Sequence, residues 1–293
     1  MTDSPAAQLT TRRFVVQAVL KTDVGKVRAE NQDFGMLTTS QEEARSQAGG
    51  RLLIVADGMG GHRGGATASR LAADTVKTEY LGSGTGDPAI ALQEALALAN
   101  SRIFAESQTN PELRGMGTTT SALVVRGSQA WFAHVGDSRI YLVRGETIHQ
   151  LTDDHSLVAT MVREGLLTSK EAETHPRRNV LQRSVGVGEE VEADVRGPFE
   201  VQEDDTFILC SDGLHGLVNA EEMLLVAKLP LEQAANEFVR LTLERGAPDN
   251  VTVIVARVVR ADAGRGEETL TDATEREMFD ETVKEASALR ATP

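Results

Sequence analysis

A chain of 293 residues, 40% apolar and 25% charged, is long enough to bury a sizeable core and too apolar to stay disordered. Acids outnumber bases 44 to 30, and the formal charge of −14 repels nucleic acid and anionic lipid. No window approaches the roughly eighteen apolar residues of a membrane span, and Met1–Thr10 lacks the basic and apolar regions of a secretory leader. The single cysteine, Cys210, excludes an internal disulfide framework and suits a reducing cytoplasm.

In chain order, residues 1–13 read as a flexible start and apolar alternation predicts a strand over Phe14–Leu20. A polar loop at Thr39–Gly50 precedes a strand over Leu52–Ala56, and helical spacing follows over Ala66–Tyr80 and Ala89–Glu106. Strands are predicted over Ser121–Val125, Ala130–Val135 and Ile140–Val143. The last two are expected to form an antiparallel hairpin across Gly136-Asp137-Ser138. A helix over Asp154–Glu164, a strand over Phe207–Cys210, a helix over Leu231–Arg245 and a strand over Val251–Val255 complete the pattern. Strands in pairs with helices between groups predict an α+β fold in one domain, 14–259. Residues 260–293 read as an acidic tail, in which Thr274 and Glu277 make a capping box before Met278, Phe279 and Val283 and so predict a short amphipathic helix.

Three apolar runs lead into acids: Leu52–Ala56 into Asp57-Gly58, Trp131–Val135 into Gly136-Asp137, and Phe207–Cys210 into Ser211-Asp212-Gly213. A fourth acid, Asp249, stands just before Val251–Val255. Any one of them reads as a turn former. Four at strand ends can converge at one sheet edge, where two carboxylates in contact would repel by roughly 4 kcal/mol at an effective dielectric near 20. A bound cation relieves that repulsion, and oxygen-only ligands select Mg²⁺ or Mn²⁺ over Zn²⁺. Gly58, without a Cβ, lets its carbonyl approach an ion. Upstream, Arg28 can grip a phosphate through paired hydrogen bonds and Asp33 can hold water, although an Arg among acids is more often a surface ion pair.

Other phosphate chemistries fail on inspection. A cysteine nucleophile wants Arg six residues later, where Gly216 follows Cys210; Arg63 stands where a dinucleotide fingerprint needs its third Gly. There is no Gly-Lys-Ser/Thr loop and no His-Glu-x-x-His pair for zinc. Cys210 therefore reads as a core thiol.

The stretches RAENQD (28–33), VADGMGGHRGG (55–65), GMGTT (115–119), HVGDSRIYL (134–142), CSDGL (210–214) and APDNVT (247–252) together resemble the metal-dependent protein phosphatases, the type 2C serine/threonine phosphatases. DGMGGH and the segment beginning LTDDHS look like the compact bacterial branch. The resemblance implies a central antiparallel β-sandwich flanked by helices in four layers, with a flap at about 152–186 beside the active site. It implies Asp57 bridging two Mn²⁺ or Mg²⁺ ions, the Gly58 carbonyl on one of them, Asp212 and Asp249 on the other, and a third ion between Asp137 and Asp212. Arg28 would bind the substrate phosphate and Asp33 would orient coordinated water. The implied reaction is direct attack of a metal-bridging hydroxide on phosphoserine or phosphothreonine of proteins. Implied partners are phosphoproteins, including a serine/threonine protein kinase, for a cytoplasmic monomer that binds neither nucleic acid nor membrane.

Two departures from the family pattern stand out. Met59 occupies the position where many relatives carry His, proposed as the acid that protonates the leaving oxygen, which leaves His62 as the nearest replacement. Gln32 stands where eukaryotic members carry Glu. Two other functions remain open on the same scaffold: a small-molecule phosphate-ester hydrolase, and a phosphate-sensing binding module without catalysis.

Overall fold

The computed structural model describes residues 14–60 and 63–261. Among these, the strands are β1 (Phe14–Asp23), β2 (Asp33–Leu37), β3 (Arg51–Met59), β4 (Gly117–Thr118), β5 (Thr120–Arg126), β6 (Gln129–Val135), β7 (Arg139–Arg144), β8 (Thr147–Gln150), β9 (Asp194–Glu200), β10 (Thr206–Cys210) and β11 (Val251–Arg260). The helices are α1 (Ser40–Arg45), α2 (Gly64–Gly82), α3 (Pro88–Thr109), α4 (Leu157–Arg163), α5 (Ser169–Glu173), α6 (Asp212–His215), α7 (Ala220–Val226) and α8 (Leu231–Glu244).

The strands form two antiparallel sheets, ordered β1-β11-β10-β7-β8 and β2-β3-β5-β6-β9, with β4 extending β3. β3 shows why its sequence is apolar without alternation: both faces are covered. Leu53 and Val55 point into the layer between the sheets with Leu123, Phe207 and Ile254. Leu52 and Ile54 point the other way, onto Ala72, Val76 and Leu96 of α2 and α3. On the opposite outer face, Ile208, Val253 and Val255 pack under Met223, Ala234 and Phe238 of α7 and α8. Each fully buried large side chain contributes about 1.5–3 kcal/mol, so these three layers of core hold the sheet ends in fixed relation. The result is the αββα sandwich expected.

Two expectations about local structure are corrected. Strands β6 and β7 do not form a hairpin. β6 pairs with β5 and β9 in one sheet, β7 with β10 and β8 in the other, so Gly136-Asp137-Ser138 is a corner between the sheets. Gly136 takes φ +113°, and a Cβ there would lie 2.5 Å from Thr119, which leaves the corner to glycine. The second correction falls in Thr39–Gly50, which contains α1 rather than only loop; Thr39 and Glu42 form its capping box. Residues 1–13, the 262–293 part of the tail and His62 lie outside the described residues.

Candidate metal centre and active site

Strand register brings the first acids together. Asp33 on β2 lies directly opposite Asp57 on β3, and β3 then continues past Asp57 because Gly58 and Met59 pair with β4. The backbone of Asp57 is pinned: its N–H donates to Thr119 Oγ1 (2.9 Å), and its carbonyl accepts from Thr119 N (2.8 Å) and Thr118 Oγ1 (2.9 Å). Gly58 N–H donates to the Gln32 carbonyl (3.1 Å), and a Cβ on Gly58 would meet the Gly65 carbonyl at 2.1 Å. Gly58 is therefore required for close backbone approach.

The other acids arrive from the opposite sheet. Asp212 opens α6 at the end of β10, and Asp249 precedes β11. Asn250 staples this edge to the N-terminal loop: its Nδ2 donates to the Val24 carbonyl (2.8 Å) and the Glu30 carbonyl (3.0 Å), while its Oδ1 accepts from Gln32 N–H (2.9 Å). The staple puts Arg28 over the acids, where its Nη2 donates to Asp249 Oδ2 at 2.7 Å. Sequence reasoning passed over Asn250, although its place beside Asp249 in APDNVT was visible.

Arg28, Gln32, Asp57, Gly58, Asp137, Asp212 and Asp249 all line one open cleft of about 460 Å³. Asn179 and Leu181, from the segment between β8 and β9, form part of its wall. Asp33 lies just behind, 7% exposed, with Oδ2 accepting from Ser211 Oγ (2.6 Å) and Oδ1 buried without a partner among the described residues. The Thr252 hydroxyl, 2.7 Å from Thr22 Oγ1, opposes part of the effect of burial on Asp33.

Burial raises every one of these carboxyls for which a shift is resolved, and their neighbours add to it. Burial pushes Asp33 up to about 7 and, with Asp212 second, Asp137 up to about 8. Asp57 is raised well above the usual range by burial, then by Asp33 and Asp212; Asp212 is raised by burial, then by Asp249. Arg139, which lowers Asp137, also makes a two-pronged bond with Asp154 (2.9 and 2.7 Å). Buried acids whose carboxyls stay raised despite Arg28, Arg139 and Arg178, with a buried Asp33 oxygen among them, are electrostatics that a bound cation would relieve. No three Asp, Glu, His or Cys side chains among the described residues close around a single point. Oxygen donors suit Mg²⁺ and Mn²⁺, and an ion that keeps several of its waters needs only one or two of these carboxylates. The residues present fit the group.

Cys210 is buried in the α7–α8 layer, and burial pushes its thiol up to about 12, so it is a core residue and not a nucleophile.

A pH dependence follows from these shifts. A carboxyl whose native pKa exceeds its unfolded 3.8 binds more protons folded than unfolded. Its stabilising contribution is intact below 3.8 and is lost as pH rises through about 7 for Asp33 and about 8 for Asp137. In chelator, the melting temperature is expected to fall from about pH 5 to about pH 8.5. Saturating Mn²⁺ should remove much of that fall, and Asp137→Asn should reduce it. A chelated protein equally stable across this range would contradict the assignment.

Comparison with known proteins agrees with this geometry. The family described as Protein phosphatase 2C matches residues 29–255. The serine/threonine protein phosphatase PstP of Mycobacterium tuberculosis is 37% identical over 280 residues, covering 95% of this chain; the chain spans about half, 52%, of PstP's length. Protein phosphatase PhpP of Streptococcus pneumoniae is 36% identical over 250 residues, covering 83% of this chain and 98% of PhpP. A crystal structure of the PstP catalytic domain in complex with two manganese ions superposes with a TM-score of 0.72 at 36% identity, covering 84% of this chain and 99% of that one. With the motifs in order, the two-sheet sandwich and the acid-lined cleft, the chain belongs to the protein phosphatase 2C family.

Proposed function

We propose that this chain is a divalent-metal-dependent serine/threonine protein phosphatase, hydrolysing phosphoserine and phosphothreonine on proteins without a phosphoenzyme. The observation that carries the reading is the convergence of Asp57, Asp137, Asp212 and Asp249 with Arg28 on one cleft. Asp57, Asp212, Asp249 and the Gly58 carbonyl would hold two ions, Mn²⁺ or Mg²⁺, with Asp137 and Asp212 for a third. Bound ions there supply positive charge for the phosphoryl group and lower the pKa of water.

The chain's own residues do the positioning. Arg28, half exposed, exchanges its Asp249 partner for a substrate phosphate oxygen, which also frees Asp249 Oδ2 for its own ligand role. Asp33, its Oδ2 fixed by Ser211, offers the buried Oδ1 as an acceptor that orients water at the floor of the cleft. Met59 lines the cleft but carries no proton to give to a leaving oxygen. The segment 152–186, two of whose residues line the cleft, serves as the flap against which a protein substrate seats. Among the described residues no helix is long and apolar enough to cross a membrane. The partners of this reading are phosphoproteins, among them a serine/threonine kinase, met by a cytoplasmic monomer.

The test is phosphate release from phosphothreonine and phosphoserine peptides beside small aryl and sugar phosphates, with Mn²⁺ present. Higher kcat/KM for peptides supports the protein phosphatase; the reverse order favours the small-molecule hydrolase. No release from any of them favours the binding module. Arg28→Ala should lower kcat/KM by about tenfold or more on peptide and aryl phosphate alike, as expected when a charged contact to the phosphate is lost. Unchanged kcat/KM would return Arg28 to the class of surface ion pairs.

A further inference from the structure

The corner Gly136-Asp137-Ser138 is gripped from several sides, and each grip has a different origin. His155, at the start of the flap segment, accepts the Gly136 N–H on Nδ1 (3.1 Å), and its own N–H donates to the Gly136 carbonyl (2.7 Å). Ser138 is held through its side chain by Thr119 (2.7 Å) and through its carbonyl by Ser121 Oγ (3.1 Å). The carbonyl of Asp137 itself is held by His215, whose Nε2 lies 2.9 Å away. A carbonyl only accepts, so Nε2 of His215 carries the proton and the tautomer is set.

His215 is not part of the cleft wall. It stands three residues after Asp212 on α6, a spacing that puts both side chains on neighbouring parts of one helical face. One short helix therefore presents a carboxylate to the cleft and an imidazole to the backbone of the facing acid. Asp212 raises the cost of ionising Asp137, and Arg139, which lowers it, also bonds Asp154. The β7–β10 ladder ends with Arg139 opposite Cys210, two residues short of each acid, and the His215 bond spans that remaining gap.

We propose that His215 is a positioning residue: its Nε2–H holds the Asp137 carbonyl to the helix of Asp212 and so sets the spacing of the two carboxylates for a shared cation. The inference rests on the proposed metal-dependent reading. It concerns a residue outside the six stretches that carry the family resemblance, and the contact is with backbone, so the identity at 215 matters through its donor rather than its charge.

The experiment uses the full chain, stripped with chelator, and compares wild type with His215→Phe, His215→Gln, Asp137→Ala and the double variant His215→Phe/Asp137→Ala. Phe keeps the ring volume and deletes the donor; the Gln amide can donate to the same carbonyl. Calorimetric Mn²⁺ titration, melting in chelator, and kcat and KM on a phosphothreonine peptide are measured for each. His215→Phe is expected to weaken, by about tenfold or more, the Mn²⁺ binding that Asp137→Ala also weakens, and to lower kcat with KM little changed. Gln should restore most of both. In the Asp137→Ala background, His215→Phe should have no further effect on Mn²⁺ binding or kcat. If Phe prevents folding, His215→Ala is read in its place. Wild-type Mn²⁺ binding in His215→Phe, or an effect undiminished when Asp137 is already gone, overturns the proposal. Failure of the wild type to bind Mn²⁺ or release phosphate would instead overturn the proposed function, and is read without any variant.

Discussion

Asp57→Asn is expected to lower kcat by at least about 10²-fold while the chain stays folded. Asp57 sits among the acids, opposite Asp33 and repelled by Asp212, Asp137 and Asp249 as well. Its backbone is fixed by three hydrogen bonds that the substitution does not touch. Asn keeps the size and loses the charge, so what disappears is affinity for cations and not the shape of the cleft. Because the carboxyl is raised well above its usual range, ionising it costs the metal-free fold stability. In chelator near neutral pH, Asp57→Asn should melt no lower than wild type. A variant that is more stable metal-free, binds Mn²⁺ poorly and hardly turns over is the expected signature; activity within a few-fold of wild type would remove Asp57 from the site.

Gly213→Ala is expected to damage fold and activity together. A Cβ at Gly213 would lie 1.9 Å from the backbone carbonyl oxygen of Asn250, a contact that backbone must move to relieve. Overpacking of this kind costs about 1–3 kcal/mol, which in a domain of this size lowers the melting temperature by about 2–12 °C. The functional loss has a direct cause. Gly213 adjoins Asp212 and Asn250 adjoins Asp249, so the methyl group separates the two chain segments that bring those acids together. Turnover should fall by about tenfold or more, with the metal requirement shifted to higher concentration. Gly84→Ala is the control, since a Cβ there meets nothing within 4 Å. Equal behaviour of the two variants would mean that the close approach is not what sets the site.

The acids were legible because Asp57, Asp137 and Asp212 each follow, and Asp249 just precedes, an apolar run that must be a buried strand, and such a strand holds the residues at its end at a fixed edge. Asp57, Asp137, Asp212 and Asp249 share the cleft for that reason. What escaped was pairing. β6 and β7 are adjacent apolar runs joined by a tight Gly-Asp-Ser, a pattern that fits a hairpin as well as a corner between sheets, and only long-range partners decide between them. α1 is six residues long with no buried side chain, so it leaves no apolar period; its capping box was the available signal. β9 hides a Gly-Pro inside an exposed edge strand and reads as loop. His155 and His215 were unreadable as partners of the Asp137 corner, because a lone buried histidine carries no mark of what it bonds. The ion pair between Arg28 and Asp249 was hidden likewise, since 221 positions separate the two in sequence.

Phosphate release from a phosphothreonine peptide, followed first in excess chelator and then as Mn²⁺ is restored, tests the central claim most directly. If the acid-lined cleft works by holding divalent cations, turnover is abolished in chelator, returns with added Mn²⁺, and returns poorly or not at all in Asp57→Asn. Full turnover in chelator would contradict the account.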